Sequence, residues 1–228
     1  MASIDPAFAD IETWIFDLDN TLYPAACDLF ELIEARMTAY VARLLGCDPV
    51  EAQEVQKGFY HEHGATLAGL MANHGVDPSH FLDEVHAIPL DRLAPDPVLT
   101  RAIAALPGRR LVHTNGDAHY AARVLDALEL TPLFEAVHDI RAAGFRPKPD
   151  PHGYTLLVEA HGIAPARAAF FEDMARNLAP AKALGLTTIW YNNGVEGGDR
   201  GSQGGYIDYE TRDLAPFLRR ILGQDDAS

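Results

Sequence analysis

The rhythm of apolar and polar positions changes twice along the chain. An apolar run from Ile11 to Phe16 predicts a buried strand that stops at Asp17 and Asp19. From Tyr23 to about Leu90 the rhythm is helical. Ile33, Met37, Tyr40, Val41 and Leu44 mark a helix that Asp28 can cap and Gly46 stops. Asp48-Pro49 with Glu51 reads as cap, first helical position and capping-box partner of a second helix, which reaches about His63. A shorter helix runs from Ala65 to Asn73 and ends at Gly75, and Asp77-Pro78 starts another to about His86.

After Pro89 strands and helices alternate. Helices are predicted over Pro95–Leu106, over Ala118–Leu128 with Asp117 as cap, from Asp150-Pro151 to Gly162, and from about Leu178 with Asn177 as cap. Short strands are predicted over Leu111–Thr114, Phe134–His138, Ala168–Phe171 and Thr187–Tyr191. Asn192–Gly205 is a glycine-rich polar stretch read as a mobile loop, without the G-K-[ST] of a P-loop. A last amphipathic helix covers Leu214–Leu222, with a frayed tail after it. This alternation predicts an α/β fold with a doubly wound parallel sheet. Some sixty helical residues placed straight after the first strand predict an inserted helical lid over 23–90. The α/β core is then 1–22 and 91–228. The alternative is a helical layer packed on the sheet.

Composition narrows the partners. The 228 residues are 48% hydrophobic and 22% charged, ordinary for a globular chain, with a formal net charge of −15. A surface that acidic disfavours nucleic acid and anionic membrane as main partners, because phosphate backbones need clustered Lys and Arg. A small anionic substrate stays possible where a metal and a lysine outweigh the distant field. Cys27 and Cys47 form no C-x-x-C pair, which favours reduced thiols and a cytoplasmic location. No basic leader is evident at the N-terminus, and no apolar stretch is long enough to span a membrane.

The candidate chemistry lies where strands end. Asp17 and Asp19, in Asp-Leu-Asp-Asn-Thr-Leu-Tyr-Pro, stand at the carboxyl end of the first strand, where open α/β sheets place ligands. They converge only if the chain curls at once. Two crowded carboxylates repel, and a divalent cation relieves that repulsion; a pair of turn-forming aspartates is the alternative reading. Thr114, in His113-Thr114-Asn115-Gly116, joins a strand to a helix, a place suited to an anion or to a plain turn. Lys148 lies between Pro147 and Pro149, which present it on a stiff segment; a solvated surface lysine is the default for such a residue. Glu172 and Asp173 end another strand.

These four stretches, in this order, resemble the motifs of the haloacid dehalogenase-like hydrolases. The resemblance implies that Asp17 is a nucleophile, that Asp19 is a general acid/base, and that Thr114 and Lys148 bind the transferring phosphoryl group. It also implies Mg²⁺ held by Asp17, the Asp19 backbone carbonyl and Asp173, with Glu172 a further ligand or a group that orients water. An acid at Asp19 fits a phosphatase or phosphomutase, since dehalogenases of this family lack one there and P-type ATPases carry threonine. The detailed motifs are similar to the pyrimidine 5′-nucleotidase-like branch, which implies a helical lid and hydrolysis of nucleoside monophosphates such as UMP or CMP. A phosphomutase is the runner-up, recognisable by isomerisation of a sugar phosphate without phosphate release. A non-catalytic binding protein is the third reading. Tyr23 and Asn115 are expected to contact substrate beside the phosphate site. Arg36, Arg43, Lys57, His61 and His63 are the polar candidates in the lid, and Arg146 is a possible accessory. Oligomeric state is not readable from the sequence.

Overall fold

The structure is a computed structural model in which residues 4–224 are described; the frayed tail expected after Leu222 lies partly outside them. β1 (Thr13–Phe16), β2 (Arg109–His113), β3 (Ala136–His138), β4 (Ala168–Glu172), β5 (Thr187–Tyr191) and β6 (Tyr209–Thr211) form one sheet in the order β3-β2-β1-β4-β5-β6. Every neighbouring pair is parallel. The strand order reverses between β1 and β4, so the connections leave in opposite directions and open a crevice above the carboxyl ends of the central strands.

Side chains alternate across the sheet as strand geometry requires. Trp14, Phe16, Val112, Phe171 and Ile189 face one buried layer, which also holds Ile103, Tyr120 and Leu218. Those three come from α5 (Pro97–Ala105), α6 (Ala118–Ala127) and α9 (Leu214–Ile221). Ile15, Leu111 and Phe170 face the other layer, with Tyr154 and Leu157 of α7 (Pro151–His161) and Leu178 of α8 (Leu178–Leu184). Phe16 and Phe171 stack at 4.6 Å between centroids, one strand over from each other. Burying each large apolar side chain contributes about 1.5–3 kcal/mol. The register between β1, β2 and β4 is therefore firmly held, and with it the position of the residues that follow their ends.

Between β1 and α5 lies the helical insertion: α1 (Leu29–Leu45), α2 (Pro49–His63), α3 (Thr66–His74) and α4 (Pro78–Val85). The Asp48 and Asp77 carboxylates cap α2 and α4 as expected, accepting from Val50 and Glu51 N–H and from Ser79 N–H. Asp28 holds the cap position of α1 differently: it takes a left-handed backbone (φ 49°) and makes no side-chain capping bond. α1 packs on α2 and α4, and the buried Ile33, Val41, Leu70 and Phe81 join the apolar layer of the sheet without a break.

Two further features depart from expectation. One strand lies beyond those expected: Asp208 folds back on Thr188, and the half-exposed Tyr209–Thr211 pairs with β5 as a parallel edge. Three residues without apolar alternation carry no strand signal. Asn177 does not cap α8 with its side chain; its amide turns inward to Glu172. The glycine-rich stretch runs as consecutive turns between β5 and β6, and Asn193 Nδ2 ties it to the Asn20 carbonyl at 2.7 Å. Among the described residues, no helix is long and apolar enough to cross a membrane.

Candidate active site

Asp17 is the first residue after β1. Its N–H still bonds the Phe171 carbonyl at 2.9 Å, so the parallel ladder carries its Cα to the level of Glu172. The chain then curls at once: Leu22 N–H returns to the Leu18 carbonyl at 3.0 Å, with Asn20 in the left-handed region (φ 58°). Asparagine tolerates that conformation better than most residues.

Lys148 reaches into the same point from the opposite side. Its Nζ donates to Asp17 Oδ1 at 2.6 Å, to Glu172 Oε2 at 2.6 Å and to the His113 carbonyl at 2.9 Å. All three ammonium protons are thereby used, which makes burial of the charge tolerable. The two prolines do not hold the segment unaided. Asn115 Oδ1 accepts from the Lys148 N–H at 2.8 Å, and its Nδ2 donates to the Lys148 carbonyl at 3.4 Å. Asn115, expected beside substrate, lines the large cavity above the site and also grips the lysine's backbone.

Asp17, Glu172 and Asp173 are all buried, and one carboxylate oxygen from each lies within 4.8 Å of the others. Burial, then the neighbouring charge of Glu172, pushes the Asp17 carboxyl up to about 7 despite Lys148. The same causes raise Asp173 well above the usual carboxylate range. Lys148 moves upward, because the two carboxylates beside it more than offset its burial. With all three carboxylates ionised against one ammonium, two negative charges would go uncompensated, which, added to burial, is why Asp17 and Asp173 hold their protons so strongly. That balance and the all-oxygen donor set suit a hard divalent cation. Glu172 is the best-anchored of the three: its Oε1 accepts from Asn177 Nδ2 at 3.0 Å and from the Met174 N–H at 3.2 Å. Thr114 is buried one residue past β2, its Oγ1 accepting from the Gly116 N–H at 2.9 Å.

Asp19 stands outside the carboxylate cluster. Tyr23, expected at the phosphate, gives its hydroxyl to Asp19 Oδ1 at 2.6 Å.

A cavity of about 710 Å³ opens above these residues. Asp17, Asp19, Lys148 and Asp173 form its floor, and Ile33, Met37, Phe81 and Leu82 of the insertion form apolar walls. Of the polar lid candidates, Lys57 and His61 line it. Arg36 and Arg43 are spent on Glu84, through its carbonyl and its carboxylate respectively. His63 and Arg146 border an adjoining, smaller recess beside Pro147. Among the cavity residues that escaped the reading of the sequence are Arg176 and Tyr60. Arg176 donates to the Tyr60 hydroxyl, lies 4.8 Å from that ring's centroid, and has a buried Nε without a hydrogen-bond partner. A cation three residues past Asp173, in so acidic a chain, was the available signal; Tyr60 offered none.

Comparison with known proteins agrees with this geometry. A family profile described as haloacid dehalogenase-like hydrolase matches residues 11–185. Phosphate metabolism protein 8 of Saccharomyces cerevisiae is 28% identical over 193 residues, covering 77% of this chain but only 60% of the yeast protein. The GMP/IMP nucleotidase YrfG of Escherichia coli K12 is 26% identical, over 87% of this chain and 89% of that protein. A phosphoglycolate phosphatase of Shigella boydii is also 26% identical, over 92% and 94%. Among solved structures, an HAD phosphatase from Thermococcus onnurineus superposes with a TM-score of 0.63 at 22% identity, covering 94% of this chain and 99% of the other. With its profile match over most of its length and its carboxylates at the crevice of the sheet, this chain belongs to the haloacid dehalogenase-like hydrolases.

Proposed function

We propose that the protein is a Mg²⁺-dependent phosphatase of small phosphate esters that works through an aspartyl-phosphate on Asp17. The observation that carries this reading is the buried cluster at the ends of β1 and β4. Lys148 there holds two carboxylates, Asp17 and Glu172, each at 2.6 Å, and Asp173 brings a third oxygen within 4.8 Å of theirs. Asp17, Glu172 and Asp173 would hold Mg²⁺, which would supply charge neutralisation on the phosphoryl oxygens and on the nucleophile. Asp17 attacks phosphorus, while Thr114 and Lys148, which turns one ammonium proton from a carboxylate partner to the substrate, hold the phosphoryl oxygens that gather charge. Asp19 gives a proton to the departing alkoxide and later takes one from the attacking water. A halide leaves without a proton, so the acid at Asp19 favours ester hydrolysis over dehalogenation.

For the substrate, the proposal is a nucleoside monophosphate. A cavity of about 710 Å³ falls within the range of about 300–1,000 Å³ that takes a drug-sized ligand, far more than a two-carbon acid fills. Its apolar walls suit a base, and the insertion over 23–90 acts as the lid that closes on it. The motif resemblance points to UMP and CMP, whereas the E. coli relative is named for GMP and IMP.

The test is phosphate release, with and without Mg²⁺, from p-nitrophenyl phosphate, the four nucleotides and phosphoglycolate, by wild type and Asp17→Asn. Mg²⁺-dependent release that the variant loses, with at least one nucleotide preferred over phosphoglycolate, supports the proposal. Release by the variant at the wild-type rate removes Asp17 as nucleophile, and a preference for phosphoglycolate removes the nucleotide.

A further inference from the structure

Asp19 is held more tightly than a residue on a turn needs to be. Its Oδ1 accepts from Tyr23 at 2.6 Å and from Tyr120 at 2.8 Å, and the two hydroxyls stand 3.4 Å apart. One carboxylate oxygen is therefore saturated, while no protein donor among the described residues bonds Oδ2. Turning the carboxylate about its χ2 would break both bonds, so the pair fixes which oxygen faces outward.

The donors are themselves fixed. Tyr120 is fully buried, and its ring lies flat on the His86 ring at 4.5 Å and 12°. His86 Nδ1 pairs with Asp117 Oδ2 at 2.5 Å, and Asp117 Oδ1 caps α6 at the Tyr120 N–H, 3.0 Å away. Arg123, one turn further along α6, donates to the carbonyls of His86 and Ile88 at 3.0 and 2.7 Å. His86 is the first residue after α4, where the helical insertion returns to the core. The path out of the insertion and the helix that carries Tyr120 are thus one hydrogen-bonded unit. Burial and the adjacent Asp19 charge raise both phenols above their ordinary range, so both stay protonated donors.

We propose that Tyr23 and Tyr120 are positioning residues that present Oδ2 of Asp19 to the leaving group, with His86 and Asp117 fixing Tyr120. This rests on Asp19 being the general acid, as read above. In the first step the Asp17–phosphorus bond forms as the bond from phosphorus to the ester oxygen breaks, and the proton on Asp19 Oδ2 passes to that oxygen. The carboxylate left behind keeps two hydrogen bonds on Oδ1, while Oδ2 takes the proton of the water that cleaves the aspartyl-phosphate.

The test compares two leaving groups in single turnovers with Mg²⁺. An alkyl ester such as a nucleoside monophosphate needs the proton; p-nitrophenyl phosphate releases a stable phenolate without one. Tyr120→Phe and Tyr23→Phe keep the rings, and each is expected to lower kcat on the alkyl ester about tenfold with KM little changed. The double variant should approach the loss of Asp19→Asn, about 10²-fold or more. Release of p-nitrophenolate in the first turnover should fall far less. In an Asp19→Asn background, Tyr120→Phe should cost nothing further. His86→Gln, which removes the stacked ring but neither hydroxyl, should show the same leaving-group bias more weakly. Equal losses on both esters, or additive losses on top of Asp19→Asn, would overturn the proposal. An Asp19→Asn enzyme as fast as wild type on the alkyl ester would instead overturn the general-acid reading and this proposal with it.

Discussion

The floor and the walls of the cavity are built on opposite principles. On the floor, Asp17, Lys148 and Glu172 are almost wholly buried, and Lys148 has every proton engaged. On the walls, Lys57 and Arg200 are exposed and in no salt bridge among the described residues, and Arg176 donates to the Tyr60 hydroxyl. Buried charges are costly unless each is met by a partner, so the floor has one workable arrangement. Exposed cations lose little by changing partner, so the walls can vary with the substrate. On the proposed function, chemistry and selectivity are thereby separated within a single cavity.

The largest break in that comparison is expected from the floor. Asp17→Asn should lower phosphate release by about 10⁴-fold or more, measured in steady state, because the variant lacks the attacking carboxylate. Lys148→Met comes next: it strands three buried carboxylates, and denaturant unfolding without added cation should show a loss of about 3–5 kcal/mol. Saturating Mg²⁺ should recover part of that loss, whereas an unchanged midpoint would show that Lys148 does not neutralise the cluster.

The raised Asp17 carboxyl sets a pH test on the same residues. Its folded pKa of about 7 lies above the ordinary 3.8 of the unfolded chain, so the folded state binds the proton more tightly. The stability this group supplies is complete below about pH 3.8 and is lost as pH rises through 7. Without a cation, wild type should therefore lose stability relative to Asp17→Asn between pH 4 and 7, by up to about 4 kcal/mol. Mg²⁺ should flatten that slope; a flat difference in chelator would contradict it. Mg²⁺ at a hundred times its dissociation constant should itself add about 2.7 kcal/mol to wild type.

The smallest effect is expected from the walls. Arg176→Ala should change KM or the preference among nucleotides by about tenfold, roughly 1.4 kcal/mol, with Mg²⁺ affinity and turnover of p-nitrophenyl phosphate little altered. A loss of Mg²⁺ binding instead would place Arg176 with the floor.

The two regions also differ in how far they were legible. The first strand was readable because a buried parallel strand is apolar on both faces, and its carboxylates were conspicuous because they end it abruptly. The caps at Asp48, Asp77 and Asp150 were legible for a similarly local reason: a side chain bonds N–H groups two or three residues on. Asn177 and Asp28 obeyed the same local pattern and were misread. A long-range bond to Glu172 claims Asn177, and a left-handed backbone turns Asp28 away.

What the sequence determined by itself is whatever short-range physics decides: the alternation of strands and helices, the helical insertion, and the strand ends where Asp17, Thr114 and Asp173 emerge. Tertiary structure alone decided who meets whom across distance. Lys148 stands on Asp17 from 131 residues away, and Tyr120 holds Asp19 from 101. An aromatic residue on the buried face of a helix has the pattern of any core residue. Only the fold shows that its hydroxyl ends on a carboxylate, because a hydrogen bond depends on position in space and leaves no period in the chain.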